Sequence, residues 1–122
     1  MTWLLVALGA AVGAPLRYLV DRAVQARTDS DVPWGTFCVN VSGTFVLGLL
    51  LGLPDLSAAA VAAIGTGFCG ALTTYSALSW EVMALGERGE RRWAIGYLVL
   101  TVGCGLAAAS LGWWLADILA AR

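Results

Sequence analysis

Apolar residues run through roughly 3–21, 34–53, 57–85 and 93–118, each near the ~20 residues that a helix needs to cross the hydrocarbon core of a membrane. Polar residues gather in the gaps: 22–33, the short Pro54-Asp55-Leu56, and Glu87-Arg88-Gly89-Glu90-Arg91-Arg92. Trp3, Trp34, Trp80, Trp93, Trp113 and Trp114 fall mostly near the ends of the runs, where indole rings favour the membrane–water boundary. The pattern predicts an all-α membrane protein of four transmembrane helices. The gaps leave no room for a second domain, so residues 1–122 read as one unit.

The third run departs from the pattern. Gly65, Gly67 and Gly70 each weaken a helix by about 1 kcal/mol relative to alanine. Thr73, Thr74, Tyr75, Ser76 and Ser79 follow. Lipid satisfies no hydrogen bonds, so this polarity at mid-membrane depth needs partners inside the protein. Close packing through small residues explains the glycines but not the hydroxyls. A helix broken at the midplane, with carbonyls free for a cation, explains both.

Composition narrows the class. Hydrophobic residues make up 60% and charged ones 12%, with mean hydropathy +0.82 and no histidine or lysine. Soluble domains carry about 25% charge, so a water-soluble globule is excluded. A net charge of −1 gives no basic face for nucleic acid. Cys38, Cys69 and Cys104 lie far apart in apolar runs and read as buried thiols rather than a disulfide framework or metal cluster. The five arginines 22, 27, 88, 91 and 92 occupy the first and third gaps, against Arg122 on the other side. By the positive-inside rule those gaps face the cytoplasm and both termini face out.

Individual polar positions carry two readings each. Thr36, Asn40, Gly43 and Thr44 share one face of the second run. Asn40 either makes an interhelical hydrogen bond or offers amide protons to an anion. Arg17, after Pro15 in the first run, either snorkels to the interface or sets a fixed positive charge in a vestibule. Tyr75 is a packed aromatic or a ring whose positive edge meets an anion. Glu81 reads as interfacial, and Asp117, near the last turn, as solvated. Thr101 can add a donor; Ser110, nine residues on, lies about 180° round the helix and cannot face the same path. Four such helices cannot enclose a wide pore alone, so oligomerisation is expected. Gly9-x-x-x-Gly13 and Gly48-x-x-x-Gly52 offer close-packing faces for it.

Three stretches, Gly13-x-x-x-Arg17-Tyr18, Gly35-Thr36-x-x-Val39-Asn40-x-x-Gly43-x-Phe45-x-x-Gly48 and Gly67-Phe68-Cys69-Gly70-x-x-Thr73-Thr74-Tyr75-Ser76, resemble the Fluc/CrcB fluoride channels in order and in span. The resemblance implies a fluoride-selective channel of the cell membrane that exports the ion passively and relieves its toxicity, and not an enzyme. It implies an antiparallel dual-topology dimer with a structural sodium ion held by the carbonyls of Gly70 and Thr73. It also implies an ion pathway in which Asn40 lines the pore, Arg17 sits in the vestibule, Tyr75 faces fluoride, Ser76 adds a hydroxyl and Thr101 a fourth-span donor. The family reads Thr-Thr-Phe-Ser-Thr-Phe where this chain has Thr-Thr-Tyr-Ser-Ala-Leu, so Leu78 removes a second ring. That change and the arginine bias raise an alternative, one half of a heteromeric channel paired with a homologous chain. A small proton-coupled antiporter needs a carboxylate within the first span, which carries Arg17 instead. A lipid kinase needs clustered acids, and the sequence has none.

Overall fold

The computed structural model describes residues 1–122, all helical apart from short connections. Helix α1 runs Thr2–Ala26 and α2 runs Trp34–Gly52. The third span, 58–87, consists of two helices. Its first part, α3 (residues 58–72), starts as Ala58–Ala60, widens over Val61–Cys69 into a π-helix and closes with Gly70–Leu72. Its second part, α4, is Tyr75–Glu87. Helix α5, Arg91–Ala120, returns across the membrane. Four segments are long and apolar enough to cross a bilayer, and the protein is a multi-pass membrane protein.

Both α1 and α5 outrun their apolar stretches by several residues, because a helix that has paid its nucleation cost propagates until a capping or turn signal stops it. In α1 this carries Arg22 and Gln25 beyond the hydrophobic run. Arg22 is tied there by its guanidinium to the Tyr18 hydroxyl, 3.2 Å away. Pro15 lies inside α1. It withholds one backbone N–H, which membrane helices tolerate.

Two close contacts organise the bundle, and both use glycines whose missing Cβ lets backbones touch. Where α1 meets α3, a Cβ on Gly9 would overlap the Ala63 carbonyl oxygen, and one on Gly67 would lie 2.5 Å from the Val6 carbonyl oxygen. Where α2 meets α5, a Cβ on Gly48 would overlap the Ala109 carbonyl, and one on Gly52 would lie 2.5 Å from that of Trp113. The two glycine pairs expected to join separate chains are therefore spent inside one chain. A small-xxx-small motif marks where a backbone can approach without saying whose backbone it is.

Only 22 of 122 residues are buried, and α1 contributes Gly13 alone. The apolar exterior thus belongs to lipid or to another chain. The largest buried cluster lies at the end bearing the first and third connections. There Val32, Leu78, Leu85, Ala94 and Tyr97 pack together, with Trp34 and Phe37 in edge-to-face contact at 5.5 Å.

Candidate functional site: a helix break and the groove beside it

The third span breaks at Thr73-Thr74, not at its glycines. Thr73 (φ −78°, ψ 151°) and Thr74 (φ −146°, ψ 120°) are extended. Gly65 and Gly67 instead sit within the continuous π-helical stretch, whose i→i+5 bonding is seen in the Gly70 N–H reaching the Gly65 carbonyl. π-helical turns are rare and gather at functional sites.

Side chains take over the bonding at the break. Asn40 on α2 pairs with the Thr74 backbone on both sides of its amide: the Thr74 N–H donates to Oδ1 at 2.8 Å, and Nδ2 donates to the Thr74 carbonyl at 3.3 Å. Thr74 caps α4, its Oγ1 accepting from the Ala77 N–H at 3.2 Å. The Thr73 N–H and Oγ1 both donate to the Cys69 carbonyl, at 2.9 and 2.8 Å. In an unbroken α-helix the N–H groups of Thr74 and Ala77 would donate four residues back, to Gly70 and Thr73. Here Asn40 Oδ1 and Thr74 Oγ1 intercept them. The carbonyls of Gly70 and Thr73 thereby lose their helical donors.

A groove of about 320 Å³ opens beside the break, walled by α2, α4 and α5. Asn40, Thr73, Thr74, Tyr75, Leu78 and Thr101 all line it. Asn40 has one Nδ2 proton left after pairing with Thr74. The Thr101 hydroxyl is buried and has no hydrogen-bond partner. Thr44 also lines the groove, though its hydroxyl is 3.0 Å from the Val41 carbonyl. The groove is open on its outer side, where Tyr75 stands 83% exposed. Ser76 is exposed next to it, with Oγ 3.3 Å from Thr74 Oγ1. Gly70 is exposed on the same span. Arg17 is half-buried on α1 and is not among the groove walls.

A family model described as "CrcB-like protein, Camphor Resistance (CrcB)" matches residues 4–113, most of this architecture. The chain belongs to the CrcB family. It is similar to curated proteins called "Fluoride-specific ion channel FluC 1" from Streptomyces avermitilis (50% identical over 122 residues, 98% of each chain) and from Frankia casuarinae (48% over 120 residues, 92% of this chain and 93% of the other). "Fluoride-specific ion channel FluC 2" of Mycobacterium tuberculosis is 45% identical over 116 residues, 95% of this chain and 91% of that one.

In this CrcB chain a second polar rung lies one helical turn from the first. Thr36 is four residues before Asn40 on α2, and Tyr97 four before Thr101 on α5, so each pair shares a face about 6 Å apart. Between Thr36 and Tyr97 sits Glu81. The Thr36 hydroxyl donates to Glu81 Oε1 at 2.7 Å. The Tyr97 hydroxyl is 3.0 Å from the Pro33 carbonyl and 3.2 Å from Glu81 Oε2, with one proton to give. Glu81 is therefore a half-buried, hydrogen-bonded carboxylate rather than a free interfacial one. Sequence reasoning passed over Tyr97 altogether; its four-residue spacing from Thr101 was the available signal.

Leu78 has two faces. It is 6% exposed, packs with Val32, Leu85 and Tyr97 in the chain's own core, and also forms part of the groove wall. Ser110 is exposed on α5, its hydroxyl 2.8 Å from the Leu106 carbonyl and off the groove wall that holds Thr101, as the half-turn separation predicts.

Proposed function

We propose that the chain forms a fluoride channel of the cell membrane, not an enzyme, and that fluoride passes through the groove beside the helix break. The observation that carries this is the convergence of two hydrogen-bond donors with no acceptor within 3.5 Å in the chain: the second Asn40 amide proton and the buried Thr101 hydroxyl. A small, strongly hydrated anion gives up water only where donors replace it, and a narrow groove with such donors favours fluoride over the larger, more weakly hydrated chloride. The Tyr75 ring edge and the Ser76 hydroxyl add to the donor set, and Arg17 serves as a vestibule charge that raises the local anion concentration. The names of the relatives support the same reading. Passive flow down a membrane potential negative inside expels the anion, at about 2.3 kcal/mol per charge per 100 mV, and relieves fluoride toxicity. The antiporter and lipid-kinase readings gain no support from the family.

A groove open to the outside needs another wall. Exposed Tyr75, Ser76 and Gly70 put polar and bare backbone groups on the outer face at mid-membrane depth, where lipid cannot satisfy them. A second chain in antiparallel orientation is the wall that fits, and it brings two broken spans together. The carbonyls of Gly70 and Thr73, deprived of their helical donors, suit a hard cation such as sodium, so four such oxygens from two chains would hold one ion. The ion supplies a fixed positive charge that joins the two breaks and takes no part in conduction.

A heteromeric pair is the second reading, favoured by the five loop arginines against one. That bias fixes most copies with the termini outside, so an antiparallel partner needs the opposite bias, and its ring can stand in for Leu78. Expressing this chain alone and labelling cysteine-tagged termini from outside distinguishes the two. Equal populations with outside-accessible and protected termini, together with full efflux, mean that one sequence suffices; termini accessible in nearly every copy, with no efflux, mean that a homologous partner is required.

The test of conduction is efflux from liposomes read with a fluoride electrode. Fluoride should leave without a proton gradient and chloride should be retained. Equal passage of chloride, or a requirement for a proton gradient, overturns the reading.

A further inference from the structure

At the end bearing the chain termini, the close approach of α2 and α5 leaves two adjoining grooves of about 560 and 350 Å³ that share Leu51 and Trp113. The deeper one is apolar: Leu47, Leu51 and Ala109 line it, and Trp114 closes its side. Ser110 lies in it, but its proton is directed to the Leu106 carbonyl. The outer groove holds Asp117, its only charged wall residue. Asp117 is exposed, one helical turn beyond Trp113 and Trp114, which are themselves 52% and 54% exposed.

Arg122 and the terminal amine also lie at this end, but the walls of the two grooves carry a single charge, that of Asp117. Both α2 and α5 finish here, and neither has a basic residue in its last turn. Helix C-termini carry partial negative charge and draw cations. Two half-exposed indoles offer faces to an ammonium group, and a carboxylate stands one turn above. The opposite end carries five arginines and suits anionic headgroups.

From this juxtaposition we propose that the α2–α5 seam is a binding site for a phospholipid with an ammonium-bearing headgroup, phosphatidylethanolamine being the natural example. One acyl chain lies in the groove over Gly48, Leu47 and Ala109, and the ammonium meets Asp117 and the Trp113 and Trp114 rings. The site adjoins the conduction groove at Ala109, which lines both.

Native mass spectrometry of the purified protein, offered phosphatidylethanolamine or phosphatidylglycerol with the same acyl chains, tests the proposal. The wild type should retain the ethanolamine lipid preferentially. Asp117→Asn should lower that retention about threefold, the size expected of one exposed cation contact, and leave phosphatidylglycerol unchanged. Asp55→Asn, at the same end but outside both grooves, should change neither. Unchanged retention in Asp117→Asn, or an equal fall for both lipids, overturns the headgroup assignment. Disulfide cross-linking of a second copy through Leu51→Cys would show that protein, not lipid, covers the seam.

Discussion

Asn40 on α2 accepts, through Oδ1 at 2.8 Å, the Thr74 N–H that an unbroken helix would deliver to the Gly70 carbonyl. One side chain thus holds the break open and keeps a spare amide proton on the groove. In the proposed channel, the scaffold of the break and the donor to the anion are two ends of the same amide. A hydrophobic residue loses both roles. A carboxylate keeps the first and reverses the second.

Thr101→Val separates conduction from stability. Its hydroxyl is buried without a partner, and an unsatisfied buried polar group costs about 1–3 kcal/mol. The isosteric methyl should therefore leave the thermal midpoint unchanged or raise it, while fluoride efflux falls about tenfold, the equivalent of one lost hydrogen bond of ~1.4 kcal/mol to the ion. A variant that is less stable and conducts normally would remove Thr101 from the path.

Glu81 should behave in the opposite way. Removing its carboxylate in Glu81→Ala leaves the buried Thr36 hydroxyl without its 2.7 Å acceptor and takes one of two acceptors from Tyr97. Loss of about 1–3 kcal/mol is expected, read as a lower unfolding temperature in detergent. Glu81→Gln keeps an acceptor for one of the two hydroxyls and should recover at least part of the loss. Equal melting of Glu81→Ala and wild type would contradict the network.

The glycine contacts predict a contrast between two substitutions of the same kind. A Cβ at Gly48 meets the Ala109 backbone, whereas at Gly103 there is nothing within 4 Å. Gly48→Ala should destabilise by roughly 1–3 kcal/mol because backbone has to move. In the isolated chain Gly103→Ala should be neutral or stabilising by up to about 1 kcal/mol.

These contacts also mark how far the sequence could be read. The four spans followed from runs of apolar residues, and the stripe Thr36–Asn40–Thr44 followed from helical spacing; α2 turns that stripe toward the break. The position of the break did not follow. Glycines weaken an isolated helix, but Gly67 packs against the Val6 carbonyl, and tertiary contact overrides propensity there. The break falls instead at Thr73-Thr74, where Asn40, 34 residues away in sequence, supplies the bonding. The pairing of Thr36 with Glu81 spans 45 residues and leaves no local trace.

Sodium provides a separate check on the break. If the Gly70 and Thr73 carbonyls hold a cation, replacing sodium by N-methylglucamine throughout purification and assay should reduce fluoride efflux and lower the unfolding temperature together. Full activity and stability in that medium, with no metal found by elemental analysis, would rule the site out.

The central claim is that fluoride passes Asn40, and Asn40→Asp tests it most directly. The aspartate keeps an acceptor for the Thr74 N–H, so the protein should fold and elute as wild type does. It removes both amide protons and adds a negative charge. At ~5 Å and an effective dielectric of ~20 that charge opposes an anion by about 3 kcal/mol, roughly a hundredfold in rate. Efflux from liposomes should fall to near background while the protein remains correctly assembled. Near-normal fluoride efflux through an intact Asn40→Asp channel would contradict the account.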